Sequence, residues 1–411
     1  MARVICFLLL IFSIDYSYGQ MDYNPNSLPM GDVEALLANT GTGGVSSPGA
    51  VYYNPAALVM LEGTSFSLNG SAYLKYESKA EPLTIIGGKE LDYKADGFLT
   101  IPTSIAIVKE IRNVKVAFSA LVPFELNFEG PKNWNVPVQN QELNIRILQN
   151  VKQRLFMAGF SVAGNLVNDW SLGGTLSWQA YSLLDVNDMA ITLVGNPVFL
   201  SQSSRRTDIN VNNLMAIIGL QKQFEKWNLG LKIDLPTIEL SDRADIYRYD
   251  FSNFNGNNVG GGEFNLKTDA NYKSPVVLRL GATFAPSESL LIASDLSYQF
   301  NQDYSRVTLP TNDIKSEVSG SYRGSLGIQK SLSEKIKLMS GFSTAMAEVD
   351  KVDRAYWSTV LALKLSGEHT SSSIGLFYSK ENAEVPIESQ LQKTKSQTVT
   401  YGVFLGTNYR F

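Results

Sequence analysis

Apolar and polar residues alternate along most of this chain with a period of two. Val276, Leu278, Leu280, Ala282 and Phe284 oppose Val277, Arg279, Gly281 and Thr283. Val318, Gly320, Tyr322, Gly324, Leu326 and Ile328 oppose Ser319, Ser321, Arg323, Ser325, Gly327 and Gln329. Trp357, Thr359, Leu361, Leu363 and Leu365 oppose Tyr356, Ser358, Val360, Ala362, Lys364 and Ser366. Successive side chains of a strand point to opposite faces, so each run predicts a strand with one greasy face. The chain ends the same way, with Val399, Tyr401, Val403, Leu405, Thr407, Tyr409 and Phe411 on one side. A closing strand with an apolar face and a C-terminal Phe suits an outer-membrane β-barrel. A soluble sandwich strand shows the same alternation, but the recurrence over the whole chain favours the barrel.

Fourteen such runs are visible, at roughly 63–78, 98–109, 113–124, 152–164, 170–183, 211–224, 227–240, 275–286, 289–300, 318–331, 335–346, 355–366, 371–381 and 398–411. A tilted strand needs about 9–11 residues to cross the hydrocarbon layer, so each is long enough. Connections after even-numbered runs are short, as at 225–226 and 287–288. Those after most odd-numbered runs are long: 79–97, 125–151, 184–210, 241–274, 301–317 and 382–397. Long outside and short inside is the barrel rule. The expectation is an all-β fold, a 14-stranded antiparallel transmembrane β-barrel over 63–411. Within one long connection, 138–152, Leu143, Ile147, Leu148 and Val151 stand at near-helical spacing. That predicts either a short helix over the mouth or an irregular loop with buried anchors. Asn255 to Gly262 reads as a flexible tip.

The part before the barrel divides in two. Met1-Ala2-Arg3, an apolar run from Val4 to Ile14 and Ser17-Tyr18-Gly19 predict a signal peptide over 1–19. Cys6, the only cysteine, lies inside it, so disulfides and thiolate chemistry are excluded from the mature chain. Residues 20–62 combine a possible helix at Met30 to Leu37, the run Gly41-Thr42-Gly43-Gly44, and apolar Val51, Leu58, Val59, Met60 and Leu61. This composition predicts a compact segment inside the periplasmic half of the barrel instead of a solvated tail.

Charged residues are 18% of the chain and the net charge is −4, so no nucleic-acid partner is implied. The single histidine, His369, falls in a predicted short turn, which leaves no base for Ser-His catalysis. Nucleotide fingerprints and metal-ligand spacings are lacking, so the chain is expected to be no enzyme and to carry no cofactor or metal. Arg279, Arg323 and Lys364 share the polar parity and are expected to face the lumen, because charge at the lipid midplane costs about 2–4 kcal/mol. They are candidates for holding an anionic head group. The other reading is that they pair with lumen carboxylates such as Asp295 and brace the wall. Pro102 and Pro123 each remove a ladder donor from a strand. Pro123 is either a kink or a harmless strand end.

Val51-Tyr52-Tyr53-Asn54-Pro55-Ala56-Ala57-Leu58 follows the Gly-rich run, and Leu61-Glu62-Gly63 leads directly into the first strand. This arrangement resembles the N-terminal hatch of the FadL/TodX family of outer-membrane long-chain fatty-acid and hydrocarbon transporters, with Asn54, Pro55 and Ala56 matching the hatch tripeptide. The resemblance implies a fourteen-stranded barrel in the bacterial outer membrane, plugged by a hatch at 20–62. It implies passive uptake of long-chain fatty acids or other hydrophobic molecules, leaving sideways into membrane lipid through a gap at a kinked strand, for which Pro123 is the candidate. The family's carboxylate-binding basic residues cannot be aligned onto this chain. A related barrel that serves as a protein-secretion accessory at the cell surface, with a protein partner, is the alternative; the polar, Asn-rich stretches at 253–262 and 301–317 suit it.

Overall fold

A computed structural model of the chain describes residues 28–86, 88–138, 141–195, 198–310, 313–386 and 393–411. The signal peptide expected at 1–19 and residues 20–27 lie outside the described residues. The described strands are β1 (Ser65–Ile86), β2 (Lys89–Ile111), β3 (Val114–Val138), β4 (Gln141–Asn165), β5 (Trp170–Val194) and β6 (Phe199–Gln223). They continue with β7 (Trp227–Asp234), β8 (Ile238–Phe254), β9 (Asn257–Thr268), β10 (Val277–Ser287), β11 (Leu290–Gln299) and β12 (Gln302–Val307). The last six are β13 (Ile314–Val318), β14 (Ser321–Ser331), β15 (Ile336–Val349), β16 (Val352–Ser366), β17 (Thr370–Pro386) and β18 (Lys393–Arg410). All belong to one antiparallel sheet, which closes where β1 pairs with β18, Ser65 opposite Arg410. Counting β7 with β8, β9 with β10, β11 with β12 and β13 with β14 as single staves, the barrel has 14 strands, as the alternation predicts.

Parity decides which way each side chain points. On β5, Leu172, Leu176 and Trp178 are exposed while Ser171, Thr175, Ser177 and Gln179 are buried. On β16, Leu361, Leu363 and Leu365 face out while Tyr356, Ser358, Val360 and Lys364 are buried. A belt of this kind would be costly in water at about 25 cal/mol per Å² and is favourable against lipid tails. The polar residues are thereby sent inward, where they meet one another and the N-terminal segment.

Several expected loops are strands. β3, β4, β5 and β6 are each 25 residues long, so 79–97, 125–151 and 184–210 form tall paired hairpins beyond the belt. β8 and β9 cover most of 241–274, β12 and β13 much of 301–317, and β17 and β18 reach into 382–397. Neither expectation for 138–152 holds, because β4 runs through it, with Leu143 opposite Val136 and Leu193. Leu143, Ile147 and Val151 are four apart, a helical spacing that is also a multiple of two, so all lie on one face of the strand. The Asn255–Gly262 tip is mostly strand as well, since β9 begins at Asn257. Val318 is buried in β13, so the lipid-facing set of the next strand starts at Tyr322.

The N-terminal segment has two single helical turns, α1 (Val33–Leu36) and α2 (Ala50–Tyr53), and a 3-10 helix over Pro55–Met60. The helix expected at 30–37 shrinks to α1 because Ala38 and Asn39 take positive φ. The segment is buried almost throughout and touches inward residues around the ring, among them Ser104, Thr175, Gln221, Asp295, Gly341 and Lys364. It therefore sits in the lumen. Glycines let it lie against the wall: a methyl group on Gly173 would collide with Pro55 and Ala56, one on Gly219 with the Asn54 side-chain oxygen, and one on Gly230 with the Thr42 carbonyl.

Candidate functional site

β2 and β3 pair from Ile111/Val114 to Ser104/Leu121 and once more at Asp96/Glu129. Between those points residues 97–103 and 122–128 make no ladder pairs with each other, although each stretch still pairs in part with its other neighbour, β1 or β4. The cause is local. Against β4 the register of β3 shifts between Leu121 and Phe124, which puts Pro123 in a bulge. On the other side, β1 and β2 fall out of register at Asn69–Gly70 and Ser71–Leu74, opposite Pro102 and Ile101. The wall thus has a slit about seven residues tall, counted from the flanking pairs. At its upper end the strands stay close, for a side chain on Gly97 would strike the Asn127 carbonyl. The slit is filled from inside: the backbone N–H of Leu28 donates to the Pro123 carbonyl at 3.4 Å, and Leu28 packs with Leu74, Tyr76, Leu99, Val122 and Phe377. Outside, beside the tilted Tyr73–Phe98 ring pair at 4.9 Å, lies an open depression of about 450 Å³ bordered by Lys75, Asp96 and Glu129.

A chain of apolar contacts leads to this slit. At the hairpin tips Ile86, Leu91, Val136, Leu143, Ile191 and Phe199 form a cluster with Trp134 and Ile147 against it. Trp134 and Ile147 also pack on Ala80, Leu83, Tyr93 and Ala95. Phe128 joins that group to the cluster of Phe124, Leu155, Tyr181, Val211 and Tyr272. Leu126 joins the latter to the Leu28 cluster at the slit. The connection between β9 and β10 contributes Tyr272, which stacks on Tyr181 at 4.2 Å.

The opposite side of the lumen is charged. Lys232 on β7 is in register with Arg279 on β10, Arg279 with Ser297 on β11, and Ser297 with Arg323 on β14. Arg279 and Lys232 are buried and Arg323 is half-buried. Lys232 pairs with Asp234 at 3.0 Å and lies 4.1 Å from the Tyr52 ring centre. Arg279 lies 5.7 Å from the Tyr53 ring centre, and its Nη1 has no hydrogen-bond partner among the described residues. Lys364 is apart from this row and is paired with Asp32 of the N-terminal segment. Lys232 escaped the sequence analysis, although Gly230, Lys232 and Asp234 alternate with Leu229, Leu231 and Ile233.

Wall and segment are joined by directed bonds. The Asn54 side-chain oxygen accepts the Ala56 amide at 3.1 Å, while its Nδ2 donates to the carbonyls of Thr42 at 2.8 Å and Leu220 at 3.2 Å. Pro55 opens the 3-10 helix that Asn54 caps, and Ala56 is fully buried against Gly173 and Gly219. Asp295 accepts from Gly41 N, Thr42 N and Thr42 Oγ1, so this carboxylate is taken by the segment. His369 is in the short turn between β16 and β17, largely exposed, with Glu368 3.9 Å away.

No family model and no curated protein matches the chain. Solved structures do. The barrel is similar to a Pseudomonas aeruginosa FadL homologue, with TM-score 0.63 and 15% identity over 91% of this chain and 97% of that one. It is similar to the P. putida toluene transporter TodX, with TM-score 0.62 and 13% identity over 93% and 98%. The Ralstonia pickettii toluene transporter TbuX gives TM-score 0.55 and 15% identity over 94% and 99%. With the closed ring of 14 strands, the lumenal N-terminal segment and these likenesses, the chain has the fold of the FadL-type channels.

Proposed function

We propose that this protein is a bacterial outer-membrane channel for passive uptake of hydrophobic molecules, long-chain fatty acids among them, with residues 20–62 as its hatch. Cargo enters among the apolar hairpin tips, descends the Phe128 and Leu126 side of the lumen and leaves into lipid between β2 and β3. The observation that carries this reading is the missing ladder between 97–103 and 122–128 at the foot of the apolar path. Pro123 is the gate kink, since its bulge separates the ladder above from the ladder below. A lateral exit spares greasy cargo a passage through water, and a hatch held by hydrogen bonds keeps the periplasmic end shut. The uptake of hydrocarbons by the structural neighbours TodX and TbuX supports the same class of cargo. Arg279 and Arg323, with Lys232 beside Arg279, form the head-group side. A buried guanidinium with an open donor favours an anionic group by charge-assisted hydrogen bonding. Lys364, held by Asp32, braces the hatch.

Thr100 and Glu125 face each other across the slit if the flanking register is continued. A Thr100→Cys/Glu125→Cys pair in the cysteine-free mature chain would lock it. Oxidised cells should lose fatty-acid uptake and regain it on reduction. Undiminished uptake with the bond formed rules out the lateral route, and a deletion strain with normal uptake but defective surface export of proteins points to the secretion accessory.

A further inference from the structure

Glu34 is the carboxylate of α1, and among the described residues no cation is paired with it. It is 1% exposed. Oε2 accepts from Ser47 Oγ at 2.7 Å, and Oε1 has no partner among the described residues. Gly31, Gly41 and Gly49 close around it so tightly that a methyl group on any of them would overlap its side chain. The groups facing it are Asp32 from its own turn, Tyr53 from α2, Ser47 from the intervening loop and Lys364 from β16. The Lys364 ammonium is already paired with Asp32. An ionised carboxylate in such a cradle lacks the hydrogen bonds and the counter-charge that offset its desolvation, whereas the neutral acid is tolerated.

We propose that Glu34 is a proton-operated fastening of the hatch: protonated, it seats α1 in its glycine cradle, and ionised, it works the segment loose. This deepens the hatch reading above by naming what regulates it. Burial, with a smaller contribution from Asp32, raises the Glu34 pKa to about 7 against the opposing hydrogen bonds from Ser47 and its own backbone and the charge of Lys364. The sign follows. Between the ordinary carboxyl range and pH 7 the seated segment holds a proton that the opened one has lost, so opening becomes easier as pH rises through that window and levels off above it. A periplasm open to the pH of the medium would thus have a tighter hatch in acid.

The test is hydrogen exchange of segment 28–62 in the full mature chain in lipid nanodiscs, corrected for intrinsic exchange. From pH 5 to 7 the opening equilibrium should rise about tenfold per unit and then level off. Glu34→Gln should be flat at the tightly closed level. An unchanged rise in Glu34→Gln, or a flat wild type, overturns the proposal. Should that variant fail to fold, two other readouts remain. Ser47→Ala should move the levelling point to higher pH, and the wild type should show a protonated-carboxyl infrared band at pH 6; a fixed levelling point or a missing band overturns it equally. Cargo plays no part in these readouts, so a failure of the uptake reading is separately visible.

Discussion

The carboxylate of Asp295 on β11 receives the backbone amide of Thr42 at 3.1 Å, joining wall and N-terminal segment across 253 residues of sequence. The same carboxylate takes the Gly41 amide at 3.0 Å. Neither amide belongs to a helix or strand, so the wall supplies the acceptor that secondary structure would otherwise provide.

Removing it should therefore open the hatch. Asp295→Ala leaves three buried donors unsatisfied, and the segment should lose roughly 2–4 kcal/mol of local stability. Protease access and hydrogen exchange at 40–44 report the loss, while the melting of the barrel ladder changes little.

Asn54 acts with both ends of its amide, so the isosteric acid is the informative change. Asn54→Asp keeps the acceptor for Ala56 but turns a second oxygen toward the carbonyls of Thr42 and Leu220. The expected cost is about 3 kcal/mol or more, larger than for Asn54→Ala, with increased ion conductance in planar bilayers.

Asp32 and Lys364 form a buried pair between the N-terminal segment and the wall. Lys364→Met alone leaves a carboxylate buried without its partner and should destabilise by about 3–5 kcal/mol. Adding Asp32→Asn should recover most of that. A double-mutant cycle read by thermal melting measures the coupling, and additive losses would show that the pair contributes nothing.

Arg279→Gln and Arg323→Gln separate head-group binding from bracing. If the row holds an anion, each should weaken binding of a fluorescent fatty acid at least tenfold and leave binding of a neutral hydrocarbon unchanged. Equal binding with a lower melting temperature would assign the arginines to the wall alone.

The barrel was legible because lipid on one side and a polar lumen on the other impose a strict parity, visible at Leu280 against Arg279 and at Leu363 against Lys364. Strand ends were not. Beyond the belt both faces mix polar and apolar residues, so Leu143, Ile147 and Val151 lost their contrast with their neighbours and suggested a helix. Pro123 marked one lip of the slit and Pro102 lies in the other, residues 97–103, but the slit itself was not legible, since a missing ladder is a relation between two strands. Lys232 carried a parity signal that a test of 227–240 reveals. The anchors of the N-terminal segment at Asp295 and Asp32 had none, because their partners lie hundreds of residues away.

β5 leaves the apolar belt near Trp178 and stays paired on both sides as far as Leu193. At about 3.3 Å per residue and a tilt of about 40°, this lifts the rim roughly 40 Å clear of the lipid. A wall of that height acts as a mast. On the route proposed above, cargo would enter at that height and leave at the slit below, so an apolar molecule would bypass the hydrated layer next to the lipid.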